Sequence, residues 1–116
     1  MHEPSSAQRR LHEEIRRKLV FLMQRDISDP RLFGIGVTRI EPSPGNELLR
    51  IFVHRLNEEE PAQCVERLNR LAAHFSHEVT RSMQKKRLPR LRFFWDDAFD
   101  KSSRVIDLLS RLERER

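Results

Sequence analysis

The sequence predicts an α+β domain in which three strands form one layer and the helices another. Three observations carry that expectation. Apolar residues recur at helical spacing in three stretches, three short runs alternate between apolar and polar, and breaker residues mark the joins. The resulting order is helix, strand, strand, long helix, strand, helix. A chain of 116 residues holds one domain, since domains usually run to about 100–150 residues. It has no room for a two-domain enzyme with a cleft between the halves.

The first helix begins near Ser5 or Ser6, where Ser5-Ser6-Ala7-Gln8 fits a capping box. Leu11, Ile15, Leu19, Leu22 and Met23 form its buried stripe, and Arg9, Arg10, Arg16 and Arg17 lie opposite, offset by Glu13 and Glu14. Asp29-Pro30 must end it, because proline lacks a donor and pushes its predecessor out of the α region. Ile35, Val37 and Ile40 mark a first strand whose parity break permits a bulge. The turn Pro42-Ser43-Pro44-Gly45-Asn46 leads to a second strand, with Leu49, Ile51 and Val53 on one face and Leu48 and Phe52 on the other. Hairpin pairing of the two is expected.

Asn57-Glu58-Glu59-Glu60-Pro61 opens the next helix, with acids at its positive end and proline in its first turn. Val65, Leu68, Ala72, Phe75, Val79 and Met83 continue the stripe for about 24 residues, or about 36 Å if straight. Residues 61–84 therefore form either one long helix or two shorter ones. A short strand follows, with Leu91, Phe93 and Trp95 on one face. Asp100-Lys101-Ser102-Ser103 offers several caps for a last helix, whose apolar side is Val105, Leu108, Leu109 and Leu112.

The formal net charge is +5, and its placement matters more than its size. Residues 1–80 carry 12 basic and 12 acidic side chains, and residues 93–116 carry 5 basic and 6 acidic. The excess comes from the segment between them, where Arg81, Lys85, Lys86, Arg87, Arg90 and Arg92 stand with no acid. A local cationic patch attracts a polyanion by displacing its condensed counterions. Cations also suit the C-terminus of a helix, so a solvated helix end is the bland reading.

Catalysis finds little support. Asp96, Asp97 and Asp100 cluster after the aromatic strand, but no second group with ligand spacing joins them, and turns favour Asp in any case. His74 and His77 lie one helical turn apart without a third ligand, and Cys64 is too far upstream to join them along a straight helix. Gly34-Ile35-Gly36 has no third glycine opening a helix, so it is no dinucleotide fingerprint. Phe93, Phe94 and Trp95 could stack on bases, but alternation assigns Phe93 and Trp95 to the core and leaves Phe94 alone. The single cysteine, Cys64, excludes an internal disulfide. No apolar run approaches the roughly 18 residues of a membrane span, and the first ten residues lack a signal-peptide core. The expectation is a cytoplasmic chain with no catalytic residue, metal, cofactor, small-molecule substrate or membrane partner.

Three segments together resemble ribosome-binding factor A, the bacterial RbfA family. They are Arg25-Asp26-Ile27-Ser28-Asp29-Pro30-Arg31-Leu32, the hairpin strands Val37–Glu41 and Leu49–Val53, and Arg87-Leu88-Pro89-Arg90-Leu91-Arg92-Phe93-Phe94-Trp95-Asp96. The resemblance covers residues 7–112 and implies a KH-like type II fold, α-β-β-α-α-β; residues 1–6 are expected to form a flexible terminus and 113–116 a frayed tail. It also implies a non-enzymatic protein that binds the free 30S subunit, assists late maturation of 16S rRNA and is linked to cold adaptation; a monomer is expected. Ala72-Ala73-His74 stands where the family usually carries Ala-x-Gly, and residues 46–116 contain no glycine. Arg81, Lys85, Lys86, Arg87, Arg90 and Arg92 are the expected RNA-binding residues, with Arg9, Arg10 and Arg17 as secondary contacts. The alternative is a protein-interaction module with an incidental basic patch. A metal-dependent nuclease built on Asp96, Asp97 and Asp100 is a distant third.

Overall fold

A computed structural model describes residues 5–83 and 88–114. Helix α1 (Ser6–Asp26) is followed by strands β1 (Gly36–Pro42) and β2 (Leu48–His54). Helices α2 (Pro61–Arg70) and α3 (Ala72–Met83), strand β3 (Arg90–Trp95) and helix α4 (Asp97–Arg114) complete the chain. The sheet order is β1-β2-β3, with β1 antiparallel and β3 parallel to β2. The parallel pair needs a crossover, which α2 and α3 supply. This is the expected KH-like order, extended by α4.

The capping box at Ser5 forms: its hydroxyl accepts from the Gln8 N–H at 3.2 Å, and the Gln8 side chain returns the bond at 3.0 Å. Helix α1 ends at Asp26, three residues before the expected stop. Ile27 turns extended, and Asp29 instead caps a short 3₁₀ turn over Pro30–Leu32. The hairpin bulges between Val37 and Arg39, where the parity of the apolar residues breaks. Its turn uses positive φ at Gly45 (80°) and Asn46 (58°), which these two residue types tolerate best.

One face of the sheet is the core face. Val37, Leu49, Ile51, Val53, Leu91 and Phe93 bury there against Ile15, Leu19 and Leu22 of α1, Cys64 and Leu68 of α2, and Phe75 and Val79 of α3. Phe75 and Phe93 meet edge to face, with ring centroids 6.0 Å apart.

Residues 61–83 form two helices. The break lies at Leu71 (φ −98°, ψ −2°), whose N–H bonds to the Leu68 carbonyl at 2.9 Å while its own carbonyl accepts from Phe75. These angles fall in the bridge region, open to any L-residue, so the break forms without glycine. Both helices then reach the outer edge of β3. The Asn69 amide donates to the Phe93 carbonyl at 3.0 Å and accepts from the Phe93 N–H at 2.8 Å, and the Ser76 hydroxyl accepts from the Leu91 N–H at 3.0 Å.

The last helix starts earlier than the expected caps at Asp100–Ser103. Asp96, 4% exposed, caps it by accepting from the Phe99 N–H at 2.9 Å. Its other oxygen accepts from the Thr38 hydroxyl at 2.5 Å, which ties the cap to the β1 bulge. Helix α4 runs on to Arg114, so the expected tail at 113–116 is helical for its first two residues. Val105, Ile106, Leu108, Leu109 and Leu112 are each more than half exposed along it.

Candidate nucleic-acid interface

Helices α1 and α3 lie side by side, and the row of α1 next to its buried stripe carries Arg17, Lys18, Phe21 and Arg25. With Glu78, Arg81 and Ser82 of α3 they line a groove of about 680 Å³. Glu78 organises it. Its carboxylate accepts from Arg81 Nη2 at 2.9 Å and lies 3.6 Å from Arg25 Nη2, and the Arg81 bond draws its pKa below the ordinary range. Arg25 also grips Asp26 at 2.6 and 3.0 Å. Lys18 Nζ reaches the Ser82 carbonyl at 3.5 Å, where cations suit the last turn of α3. Phe21 is 60% exposed among these cations, with the Arg25 guanidinium 5.9 Å from its ring centre. Arg81 and Arg25 keep 70% and 49% of their side chains exposed, so their remaining donors face solvent. Such a groove suits a phosphate backbone.

The sheet face turned away from the helices is also cationic. Alternation places Arg39, Glu41, Leu48, Arg50, Phe52, Arg90, Arg92 and Phe94 there, and the strand register aligns Arg39 with Phe52 and Phe94, and Glu41 with Arg50 and Arg92. Arg90 and Arg92 are exposed, and Phe52 and Phe94 are half-buried with ring centroids 5.8 Å apart.

The family model of ribosome-binding factor A matches residues 7–109. The chain belongs to the ribosome-binding factor A family. It is 37% identical over 111 residues to ribosome-binding factor A of Maricaulis maris, covering 93% of this chain and 79% of that one. The crystal structure of the Thermus thermophilus factor superposes with a TM-score of 0.63 at 29% identity, over 74% of this chain and 92% of that one. Coordinates of the Thermus thermophilus factor fitted into a cryo-electron-microscopy map of a complex with the 30S subunit give 0.61 at 31% identity, over 76% and 93%.

On this ribosome-binding factor A fold the expected RNA-binding residues separate into groups. Arg17 and Arg81 meet across the α1–α3 groove, and Arg9 and Arg10 are exposed at the start of α1. Arg90 and Arg92 lie on the opposite side of the molecule, because β3 turns them away from the helices. Lys85, Lys86 and Arg87 lie outside the described residues. Arg81, Arg90 and Arg92 therefore do not share one patch, contrary to the single basic segment in the sequence. Sequence reasoning missed Lys18, Phe21 and Arg25. The signal was the four-residue spacing of Arg17, Phe21 and Arg25, which puts all three on one helix face.

Several residues of the other candidate clusters have structural partners. Asp96 is a buried cap. Burial alone would raise its pKa, but the Thr38 hydroxyl, the Phe99 N–H and Arg39 outweigh that and lower it. Asp100 clamps the buried His54 Nε2 and accepts from Trp95 Nε1 at 2.8 Å. His74 Nε2 bonds to Asp26 at 2.8 Å. Cys64, 1% exposed, donates to Glu58 Oε1 at 2.6 Å, and burial together with that carboxylate pushes its pKa up to about 11. Among the described residues no group of three His, Cys, Asp or Glu side chains could hold a metal ion, and no helix is long and apolar enough to cross a membrane.

Proposed function

We propose that this chain is a non-enzymatic, cytoplasmic assembly factor that binds the free 30S ribosomal subunit and assists late maturation of 16S rRNA by shape and phosphate contact. The observation that carries this reading is the α1–α3 groove, which Arg17, Lys18, Arg25 and Arg81 line together, the last two held by the carboxylate of Glu78. Its support is membership of the ribosome-binding factor A family and the described complex of the Thermus thermophilus relative with the 30S subunit. Lys85, Lys86 and Arg87 come shortly after α3 in sequence. Side chains that contact phosphate position a protein without selecting sequence, so discrimination comes from the shape of the subunit.

Co-sedimentation with purified 30S subunits tests this. Four groove cations on phosphates imply a log–log salt slope of about −3 to −4. Arg17→Glu with Arg81→Glu should abolish co-sedimentation and leave the circular dichroism unchanged, and so should the Lys85→Glu, Lys86→Glu, Arg87→Glu triple variant. Undiminished co-sedimentation of both variants would refute the assignment. A second reading, a protein-interaction module, draws on the apolar stripe of α4, exposed at Val105, Ile106, Leu108, Leu109 and Leu112. Binding through that stripe would barely respond to salt and would be lost in Leu108→Ser, Leu109→Ser instead.

A further inference from the structure

The helices cover one face of the sheet, and the other is built in cross-strand rows of guanidinium and phenyl groups. Arg39, Phe52 and Phe94 form the first row, Glu41, Arg50 and Arg92 the second, and Leu48 and Arg90 the third. Same-face residues along a strand stand about 6.6 Å apart, so the rows make a regular track. Four arginines share the rows with one carboxylate, and at the margin of the face Arg39 Nε also lies 3.5 Å from the buried Asp96. The carboxylate in the rows, Glu41, is already engaged by Arg39 Nη1 at 2.6 Å and by Arg50 Nη2 at 3.5 Å. Arg90 and Arg92, both exposed, have no hydrogen-bond or ion-pair partner among the described residues.

The rings are arranged for stacking. The Arg39 guanidinium lies over Phe52 at 3.9 Å from the ring centre, and its outer plane, 42% exposed as a side chain, offers a flat cationic surface. Phe94 lies beside Phe52, its ring tilted 32° to that of Phe52. Arg50 also holds a buried Nε–H without a partner among the described residues. A buried donor left unpaired is costly.

We propose that this open sheet face binds an unpaired RNA strand, stacking one base on Phe94 and a neighbouring base on the Arg39 plane, with Arg90 and Arg92 holding phosphates. The proposal rests on the reading above that the partner is RNA. A duplex would gain little here, because its bases are already stacked and its deep major groove is closed to side chains. A splayed single strand offers both the ring faces and the phosphates that the rows are spaced to meet. An acidic protein would use the arginines but leave the interleaved rings without a role. The face lies opposite the α1–α3 groove, so a paired segment and an unpaired segment of one RNA could be held on two sides of the molecule at once.

The test uses the full chain and fluorescein-labelled oligouridylate and oligoadenylate of about eight nucleotides, within the usual span of single-strand sites, against an RNA duplex of similar charge. Phe94→Leu keeps an apolar side chain but removes the ring. It should weaken single-strand binding about tenfold and leave duplex binding and the urea midpoint unchanged. Arg90→Gln with Arg92→Gln should make the single-strand salt slope shallower by about 1.4. Ultraviolet cross-links to oligouridylate should map to the peptides carrying Phe52 and Phe94. Parental single-strand affinity in Phe94→Leu would overturn the proposal, as would cross-links confined to the α1–α3 groove or retention of an acidic polypeptide in preference to the oligonucleotides. The two readings fail separately. A chain that co-sediments with 30S subunits yet ignores single strands overturns this proposal alone. A chain that binds single strands through Phe94 but not the subunit overturns only the proposed function.

Discussion

Asn69 offers the sharpest test of how the sheet is held in place. Its amide makes two hydrogen bonds to one residue of β3, 3.0 Å to the Phe93 carbonyl and 2.8 Å from the Phe93 N–H, and Phe93 itself is 1% exposed. Asn69→Ala removes both bonds, each with a net contribution of about 1 kcal/mol, and leaves two backbone groups unpaired, which adds about 1 kcal/mol once water has reached the edge. The expected loss is about 3 kcal/mol. At about 2.1 cal/mol/K per residue, the whole chain has an unfolding entropy near 0.24 kcal/mol/K, so the melting temperature should fall by about 12 °C. Asn69→Asp should be worse than Ala. The carboxylate still accepts from the N–H but now faces the Phe93 carbonyl, oxygen against oxygen. Urea unfolding followed by circular dichroism gives the energies, and native-state hydrogen exchange should show the Phe93 amide losing protection while amides of α1 keep theirs relative to global stability. An Asn69→Ala variant within about 0.5 kcal/mol of the parent, or an unchanged Phe93 exchange rate, would refute the reasoning.

Further expectations concern other polar groups. Asp96→Ala should loosen the first turn of α4, at a cap cost of about 1 kcal/mol, and show as faster exchange of the Phe99 amide. Asp97→Asn, at an exposed first-turn position, should do neither, and RNA incubated with Mg²⁺ should stay intact with either variant. Cys64 is buried with its pKa raised to about 11, so at pH 8 a soluble disulfide reagent should label the native chain only at its opening rate and the urea-unfolded chain at once. The carboxyls of Asp26 and Asp29 are held down to about 2, the first mainly by the Arg25 and His74 side chains and the second by Arg31. A depressed carboxyl contributes stability above its ordinary pKa of about 4 and loses it as pH falls through its folded value. The urea midpoint should therefore decline between about pH 4 and pH 2, less steeply in Asp29→Asn.

Periodicity made α1, the hairpin and β3 legible in the sequence. The bulge was visible as the spacing of Val37 and Ile40, which cannot share a face of a regular strand. The break at Leu71 was not, because bridge-region angles leave no compositional mark, and the stripe from Leu68 to Phe75 reads equally well as one helix. The start of α4 was ambiguous for a different reason. Asp96, Asp97, Asp100, Ser102 and Ser103 are all competent caps, and the tertiary contacts from Thr38 and Arg39 select Asp96. For the candidate interface, charge counting located an excess of cations but treated chain proximity as spatial proximity. Between Arg81 and Arg92 the chain passes from a helix on one side of the sheet to the far face of a strand. Arg17 and Arg81, 64 positions apart in sequence, end in one groove instead.

The clamp on β3 also bears on how the molecule meets others. With that edge occupied by Asn69 and Ser76, the remaining lateral edge of the sheet is β1. That strand carries the bulge at Thr38, the charged pair Arg39 and Glu41, and Pro42 at its end, each an obstacle to the addition of another strand. The carbonyl of Val37 is further engaged by Arg16 at 3.1 Å. A protein guarded in this way resists edge-to-edge polymerisation at high local concentration. It is also a poor host for β-augmentation by a partner's tail, so its contacts must be made through its faces, which side chains alone can vary.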